Sequence, residues 1–336
     1  MQTNNNLLNV LTREGVLINV SVRYWRAAKK LQPQDLGLDP DEVTDRLISL
    51  GHKRLVPEDA LAAFALIESR AHALVEAATF PFLNGIARFL PNRKLSEVTM
   101  MLETLEQEFK AEQQRFELRY ADLRKEALLE WLAHARKLTA DPERIVASVS
   151  AAYPTLDKLD TKFDFTSSLF QLSLPETLDA ELVNATDRHE LMLAREQAAR
   201  EARHKISEGV DSFVGDCVAS LREQTATLCG EMLESFKSGK SRVHQRTLNR
   251  LTDFIDNFKS LNFANDSELE EQLNKVREAY LGTAAADYRD NAHAQARMRQ
   301  GISKLGDTAR ELATADTREI VASFGRLGNR RFTLAA

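Results

Sequence analysis

The sequence has few of the residues that interrupt helices or cross-link a chain. Its 336 residues include only 13 glycines, 8 prolines and 2 cysteines. Because glycine and proline mark turns, their scarcity favours long helices over many short strands. Cys217 and Cys229 fall in one predicted helix, about 18 Å apart, whereas a disulfide needs Cα atoms within about 7 Å. We therefore expect free thiols, a reducing compartment and a buried, hydrophobic role for Cys217.

The sequence also lacks a long apolar run and a strong excess of one charge. Its longest apolar run, ALAAFALI at residues 60–67, is far shorter than the roughly 20 residues of a membrane span. The first residues, MQTNNN, carry neither the basic nor the apolar part of a secretory signal. A net charge of −5 gives no overall attraction to nucleic acid. We expect a cytoplasmic protein that does not contact membranes.

Motifs that carry chemistry are missing as well. Gly239-Lys240-Ser241 resembles the end of a phosphate-binding loop, but that motif requires glycine at position 234, which is Glu234 here. No two of the seven histidines lie three or four residues apart, so no helix presents a pair of imidazoles to a metal. No nucleophile motif and no paired catalytic carboxylates emerge. We expect no enzyme activity, no catalytic residue, no metal and no cofactor.

Long amphipathic helices are what the sequence does contain. Ser96 is the predicted cap of a helix that runs to about Leu138, and a second long helix is predicted from about Asp187 to Lys237. In the first of these, nine steps cover the 33 residues from Val98 to Trp131 when polar Glu112 is counted in the gap after Phe109, about 3.67 residues per step, a period that predicts nearly straight or slightly right-handed packing. The apolar residues are Val98, Leu102, Leu105, Phe109, Phe116, Tyr120, Leu123, Ala127 and Trp131. Ser267 and Glu270 form a predicted capping box for a later helix.

A β-like segment, FDFTSSLFQLSLPE at residues 163–176, interrupts this helical pattern. Because a lone strand cannot satisfy its backbone hydrogen bonds, we expect it to pair with Val16–Val22 and Ile86–Leu90. The alternative is an apolar loop that crosses a helical bundle. The predicted fold is mainly α, with long antiparallel helices in a coiled-coil-like bundle and a small α+β head. The head comprises residues 1–95 plus 154–178, and the bundle comprises residues 96–153 plus 179–336.

Three basic stretches are candidate contact sites. A predicted helical hairpin tip could contact nucleic acid or could be a solvated turn next to a helix C-terminus; it contains Lys237, Lys240, Arg242, Arg246 and Arg250. Arg23, Trp25 and Arg26, followed by Lys29 and Lys30, fit base stacking with phosphate neutralisation. They also fit a helix that buries Trp25 and Ala28 while the lysines face water, and we favour that interpretation. Arg330 and Arg331 either dock on a partner or belong to a frayed terminus.

Two stretches resemble a bacterial domain family of unknown function. They are LTREGVLINVSVRYWRAAKKLQPQDLGL at residues 11–38 and FDFTSSLFQLSLPE at residues 163–176. Members of the family occur in phages, plasmids and mobile islands, often encoded beside MoxR-type AAA+ ATPases and von Willebrand A proteins. The resemblance implies a non-catalytic component that works beside a AAA+ motor in phage–host conflict, and it supplies no functional residues.

Three functional hypotheses follow. The first is a non-enzymatic helical scaffold or adaptor, since long amphipathic helices offer extended surfaces to partner helices. The second is a structural protein that binds nucleic acid through the basic hairpin tip, with affinity that falls steeply as salt rises. The third is a homo-oligomer that forms a filament or coat.

Overall fold

A computed structural model of the chain describes residues 10–33, 51–82, 87–138, 141–171, 187–238, 243–288, 291–315 and 317–324, together with Leu7 and Gly85. Helices account for most of these residues and a small antiparallel sheet accompanies them, so the protein is mainly α with a small α+β part. Among the described residues, no helix combines the length and the apolar character that crossing a bilayer requires.

The described elements are short strands and helices of very different length. The strands are β1 (Gly15–Arg23), β2 (Ala28–Lys30), β3 (His52–Arg54), β4 (Phe80–Phe82), β5 (Ala87–Pro91) and β6 (Asp164–Phe170). The helices are α1 (Ala62–Ala78), α2 (Asn92–Leu138), α3 (Pro142–Ala151), α4 (Leu156–Asp160), α5 (Asp187–Ser238), α6 (Gln245–Leu261), α7 (Ser267–Val276), α8 (Ala285–Tyr288) and α9 (Ala292–Thr314). Residues 58–61 form a 3₁₀ turn before α1, and residues 277–281 form a π-helical turn after α7.

The predicted β-like segment is a strand, β6, and one of its two predicted partners is confirmed: β6 neighbours β1, whereas β5 lies on the other side of β1 in the same sheet. The order of the four-stranded sheet is β4-β5-β1-β6, and β2 and β3 form a separate two-stranded ribbon. β1 pairs antiparallel with β5, with Gly15 opposite Pro91 and Ile18 opposite Arg88. The alternative of a loop is therefore wrong for residues 164–170, whereas residues 172–176 of the segment lie outside the described residues.

The chain divides into two compact units. The first unit comprises Met1–Ile18, Ala78–Ser96 and Leu169–Ala336, and the second comprises Asn19–Ala77 and Glu97–Ser168. The division into a head and a bundle that the sequence analysis proposed stays a prediction.

The core of the first unit joins its helices to the strands β4 and β5. α9 runs antiparallel to α5, because Arg222 of α5 bonds to Leu312 of α9, whereas Arg299, near the start of α9, lies over the ring of Phe236, near the end of α5. α6 and α7 complete the helical part of this core. Rings from the strands pack into it: Phe82 lies 4.8 Å from Phe213, and Phe89 lies 5.0 Å from Phe263, measured between ring centroids.

The core of the second unit is mainly aromatic. Phe64 of α1 is fully buried and its ring contacts the rings of Tyr24, Phe109, Phe116 and Phe163 at centroid distances of 5.0–5.9 Å. The apolar residues that were predicted to recur along α2, from Val98 to Trp131, form what we call its seam. The seam supplies Phe109, Phe116 and Tyr120 to this cluster. Every seam residue from Val98 to Ala127 is buried, and Trp131 is half-buried. The periodicity therefore identified the buried face of α2 correctly.

The structure corrects two predicted helix starts. α2 begins at Asn92 and not at Ser96, because the Asn92 side chain donates to the Arg13 carbonyl and Arg93 donates to the Lys259 carbonyl. The cap of α7 is Asp266 and not Ser267: an Asp266 carboxylate oxygen accepts from the Leu269 backbone N–H.

Candidate anion-binding site

Both arginines that the sequence analysis singled out near Trp25 form ion pairs with carboxylates of the same unit. Arg23 lies 3.1 Å from a carboxylate oxygen of Asp164. Arg26 lies 2.7 Å from Glu68, and its guanidinium carbon lies 4.0 Å from the centre of the Tyr24 ring. All these groups belong to the second unit. Because each guanidinium has an internal partner, these two arginines are poor candidates for capturing a free anion.

Trp25 is buried, as the favoured interpretation expected, but Trp25 itself does not lie in a helix. It is 6% exposed, and its ring contacts Phe116, Tyr120 and Tyr153 at centroid distances of 5.7–6.4 Å. Residues 24–27 are not helical, and Ala27 has a φ of +49°. Ala28, which was expected to be buried, is exposed on β2. The expected helix is therefore wrong.

The structure describes only part of the other predicted contact set. Lys237 lies in the last turn of α5, Arg246 is exposed at the start of α6, and Arg250 pairs with Glu231. Four further candidates lie outside the described residues: Lys240, Arg242, Arg330 and Arg331. The hairpin tip as a nucleic-acid contact stays a prediction.

A basic pocket lies next to Trp25 in the second unit. Its volume is about 370 Å³, and it is lined by Trp25, Lys29, Ala152, Tyr153, Pro154, Thr155, Lys158, Thr161 and Lys162. Three lysines from two separate segments meet there, and no carboxylate lines the pocket. We call this the lysine pocket. Its composition suits an anion, since lysine ammonium groups bind phosphate as point charges.

The wall of the lysine pocket is fixed by hydrogen bonds from aromatic side chains to backbone carbonyls. The Tyr153 hydroxyl donates to the carbonyl of Leu55, and the Tyr120 hydroxyl donates to the carbonyl of Pro154 at 2.8 Å. Burial raises the pKa of Tyr153 to about 12, so its hydroxyl stays a protonated donor to a higher pH than that of an exposed tyrosine. These bonds hold the segment 153–155 rigidly beside Trp25.

The ribbon next to this pocket is also basic. β2 pairs antiparallel with β3, with Lys29 opposite Lys53, Lys30 opposite His52 and Ala28 opposite Arg54. Like charges that face each other across two strands destabilise the pair. Five of these six residues are basic, so the ribbon gathers positive charge in the same unit as the lysine pocket.

Sequence reasoning missed Lys158 and Lys162 of the lysine pocket. The available signal was their spacing: TLDKLDTK at 155–162 places Thr155, Lys158 and Lys162 on one helical face. Nothing local connects that face with Lys29, which is more than 120 residues away in sequence, and so only the fold reveals the cluster.

A second pocket in the same unit has balanced charge. Its volume is about 310 Å³, and it is lined by Arg54, Val56, Pro57, Ala127, Glu130, Trp131 and His134. Arg54 pairs with Glu58, and its carbonyl accepts a 3.0 Å bond from the Trp131 indole. Because the acidic residue Glu130 lines this pocket beside the basic residues, it is a weaker candidate for binding an anion than the lysine pocket.

Both cysteines are buried thiols. Cys217 is buried, as predicted, and Cys229 is buried as well; burial raises the pKa of both thiols, that of Cys229 to about 12. A thiol with a raised pKa is a weak nucleophile at neutral pH. In the part of the chain that the structure describes, no three His, Cys, Asp or Glu side chains are grouped so that they could hold a metal ion.

Comparison with protein-family models gives one match. Residues 12–286 match the model of DUF3150, described as a protein of unknown function. The chain belongs to this family. The match covers most of the chain, including the lysine pocket, and agrees with the resemblance to a domain of unknown function. Searches of the curated proteins and of the solved structures found no match to this DUF3150 protein.

Proposed function

We propose that this DUF3150 protein is a non-enzymatic helical scaffold or adaptor that works with a MoxR-type AAA+ ATPase in phage–host conflict. The observation that carries the adaptor role is an exposed apolar stripe on α2. The ATPase and the biological setting come from the family resemblance.

The stripe lies on the face of α2 opposite its buried seam. Met100, Leu118 and Leu129 are 63%, 84% and 59% exposed. Leu118 follows Met100 by 18 residues, five turns, and Leu129 follows after 11 residues, close to three turns. The three side chains therefore share one face over about 43 Å. A partner that lay along this face would meet the three side chains as separate apolar anchors.

The surroundings of the stripe suit a reversible protein contact. Exposed charged residues flank the apolar positions, among them Glu103, Arg119 and Glu126. An apolar centre with a polar rim is the usual anatomy of a protein interface. The buried face of α2 already serves the core, so the stripe is free to bind a partner without unfolding the helix.

The test is direct binding to a purified MoxR-type AAA+ ATPase from the same host. We expect the triple variant Met100→Gln, Leu118→Gln, Leu129→Gln to bind at least about tenfold more weakly, because it removes apolar surface that the partner would bury. The matched control, Glu103→Gln, Arg119→Gln, Glu126→Gln, changes three exposed positions of the same helix and should retain binding. The adaptor proposal fails if the wild-type protein does not bind the ATPase, or if it turns over nucleotide by itself.

A further inference from the structure

The three lysines of the lysine pocket have no side-chain partner among the described residues, whereas several arginines of the same unit form ion pairs. Lys29, Lys158 and Lys162 form no side-chain hydrogen bond or ion pair with any residue that the structure describes. In the same unit four arginines are all paired: Arg23 with Asp164, Arg26 with Glu68, Arg54 with Glu58, and Arg70 with Glu108. What distinguishes the pocket is that three such ammonium groups line one cavity.

The acidic residues of α4 do not supply that counter-charge. Asp157 and Asp160 alternate with the lysines in sequence, but neither lines the pocket. Asp160 accepts a 2.8 Å hydrogen bond from the Gln113 side chain, which lies on α2. Lys158 and Lys162 are one turn apart, and like charges at that spacing repel each other. A bound anion would remove this repulsion.

Neutral donors accompany the three ammonium groups. The Thr155 hydroxyl precedes α4 but forms no capping bond with it, and so it is available to a ligand. Trp25 lines the pocket, and its indole N–H has no acceptor among the described residues. Thr161 is less available, since its hydroxyl donates to the Lys158 carbonyl at 3.0 Å.

We propose that the lysine pocket binds the phosphate group of a phosphate monoester. Three ammonium groups and two neutral donors suit a phosphate dianion, which carries more charge and more acceptor oxygens than a carboxylate, and lysine binds phosphate as a point charge. The volume of about 370 Å³ exceeds what a phosphate alone needs. Trp25, Tyr153 and Pro154 provide an apolar wall for the remainder of the ester, and an aromatic wall favours a ring. The proposal is independent of the adaptor role.

The experiment titrates the purified full-length protein with three probes: inorganic phosphate, adenosine 5′-monophosphate and a 5′-phosphorylated single-stranded decanucleotide. Isothermal titration calorimetry measures each Kd at two salt concentrations. The site variant is Lys158→Met with Lys162→Met, and Lys29→Met tests the other segment separately. Lys125→Met is the matched control, since Lys125 is an exposed lysine of the same unit that also has no partner among the described residues.

We expect the monophosphate to bind more tightly than inorganic phosphate, because the ring gains the apolar wall. The double variant should weaken binding by at least about tenfold, Lys29→Met should weaken it less, and the control should bind as the wild type does. Tighter binding of the decanucleotide, with a steep salt dependence, would identify a nucleic-acid end as the source of the phosphate.

Two results would overturn the proposal. One is that none of the three probes binds at concentrations up to about 10 mM, well above the weakest specific affinities. The other is binding that the double variant and the control weaken equally, since this would mean a general surface effect. Circular dichroism of each variant separates loss of binding from loss of fold, and Thr155→Val offers an uncharged second variant that should also weaken binding.

Discussion

The two units treat charge in opposite ways. In the first unit, an arginine and an aspartate are taken into the core and completely paired. In the second unit, the core is aromatic, its tyrosine hydroxyls bond to backbone carbonyls, and three lysines remain outside it without partners among the residues that the structure describes. The comparison separates charges that hold a fold together from charges that are available to a ligand.

The buried pair of the first unit has every mark of a structural role. The side chains of Arg222 and Asp266 are 3% and 1% exposed and lie 2.7 Å apart. Arg222 also donates to the carbonyl of Leu312 at 2.6 Å, which ties α5 to the end of α9. Asp266 caps α7, and its backbone N–H donates to Asn262 at 2.8 Å. Because all strong donors and acceptors are satisfied, nothing remains for a ligand.

The largest expected effect comes from breaking this pair on one side. Arg222→Met leaves Asp266 buried without its counter-ion and should lower the free energy of unfolding by about 3–5 kcal/mol. Chemical denaturation measures the change. Arg250→Met is the matched control: it removes an arginine from an exposed pair with Glu231, in which the side chains are 58% and 50% exposed, and should cost less than about 1 kcal/mol. Equal losses in the two variants would contradict the structural role of the buried pair.

A smaller effect is expected in the aromatic core of the second unit. Tyr153→Phe removes the hydroxyl that donates to the Leu55 carbonyl and leaves that buried acceptor unsatisfied, which should cost about 1–2 kcal/mol. Tyr280→Phe in the first unit is the control, since the Tyr280 hydroxyl donates to no described residue. A cost for Tyr280→Phe as large as that for Tyr153→Phe would show that the carbonyl bond does not matter.

The same variant makes a prediction about pH. Burial raises the pKa of Tyr153 in the folded protein to about 12, above the value of about 10 for an exposed tyrosine. The folded state therefore favours the protonated hydroxyl: its contribution to stability is complete below about pH 10 and is lost as pH rises toward 12. Wild-type stability should fall across this window more steeply than that of Tyr153→Phe.

The sequence was sufficient for features that repeat locally. The spacing of Val98, Leu102 and Leu105 predicted the buried face of α2, and the alternation in residues 16–22 predicted β1. It was insufficient where a distant residue decides the outcome. Asp266 replaces Ser267 as the cap because its carboxylate also pairs with Arg222, 44 positions away. β2 and β3 were missed, since charged strands of three residues show no apolar alternation.

The candidate site divides along the same line. Trp25 stood out in the sequence because tryptophan is rare and its neighbours are basic. Lys158 and Lys162 did not, because a lysine next to aspartates reads as a solvated helix face. The pocket depends on β2 and α4 meeting beside Trp25, and this is a tertiary contact that neither segment encodes alone.

The smallest expected effect on stability comes from the lysine pocket, and here a near-zero value is the informative result. Lys158→Met removes one of three like charges that have no partner among the described residues. We therefore expect the free energy of unfolding to change by no more than about 0.5 kcal/mol, or to rise slightly at low ionic strength as repulsion is relieved. Salt screens such repulsion, so the difference from wild type should shrink between about 0.01 and 0.15 M salt. A loss comparable to that of Arg222→Met would mean that Lys158 supports the fold, and the contrast between the two units would then disappear. If Lys158→Met instead leaves the free energy of unfolding unchanged and weakens phosphate binding, the charge of Lys158 serves a ligand and not the fold.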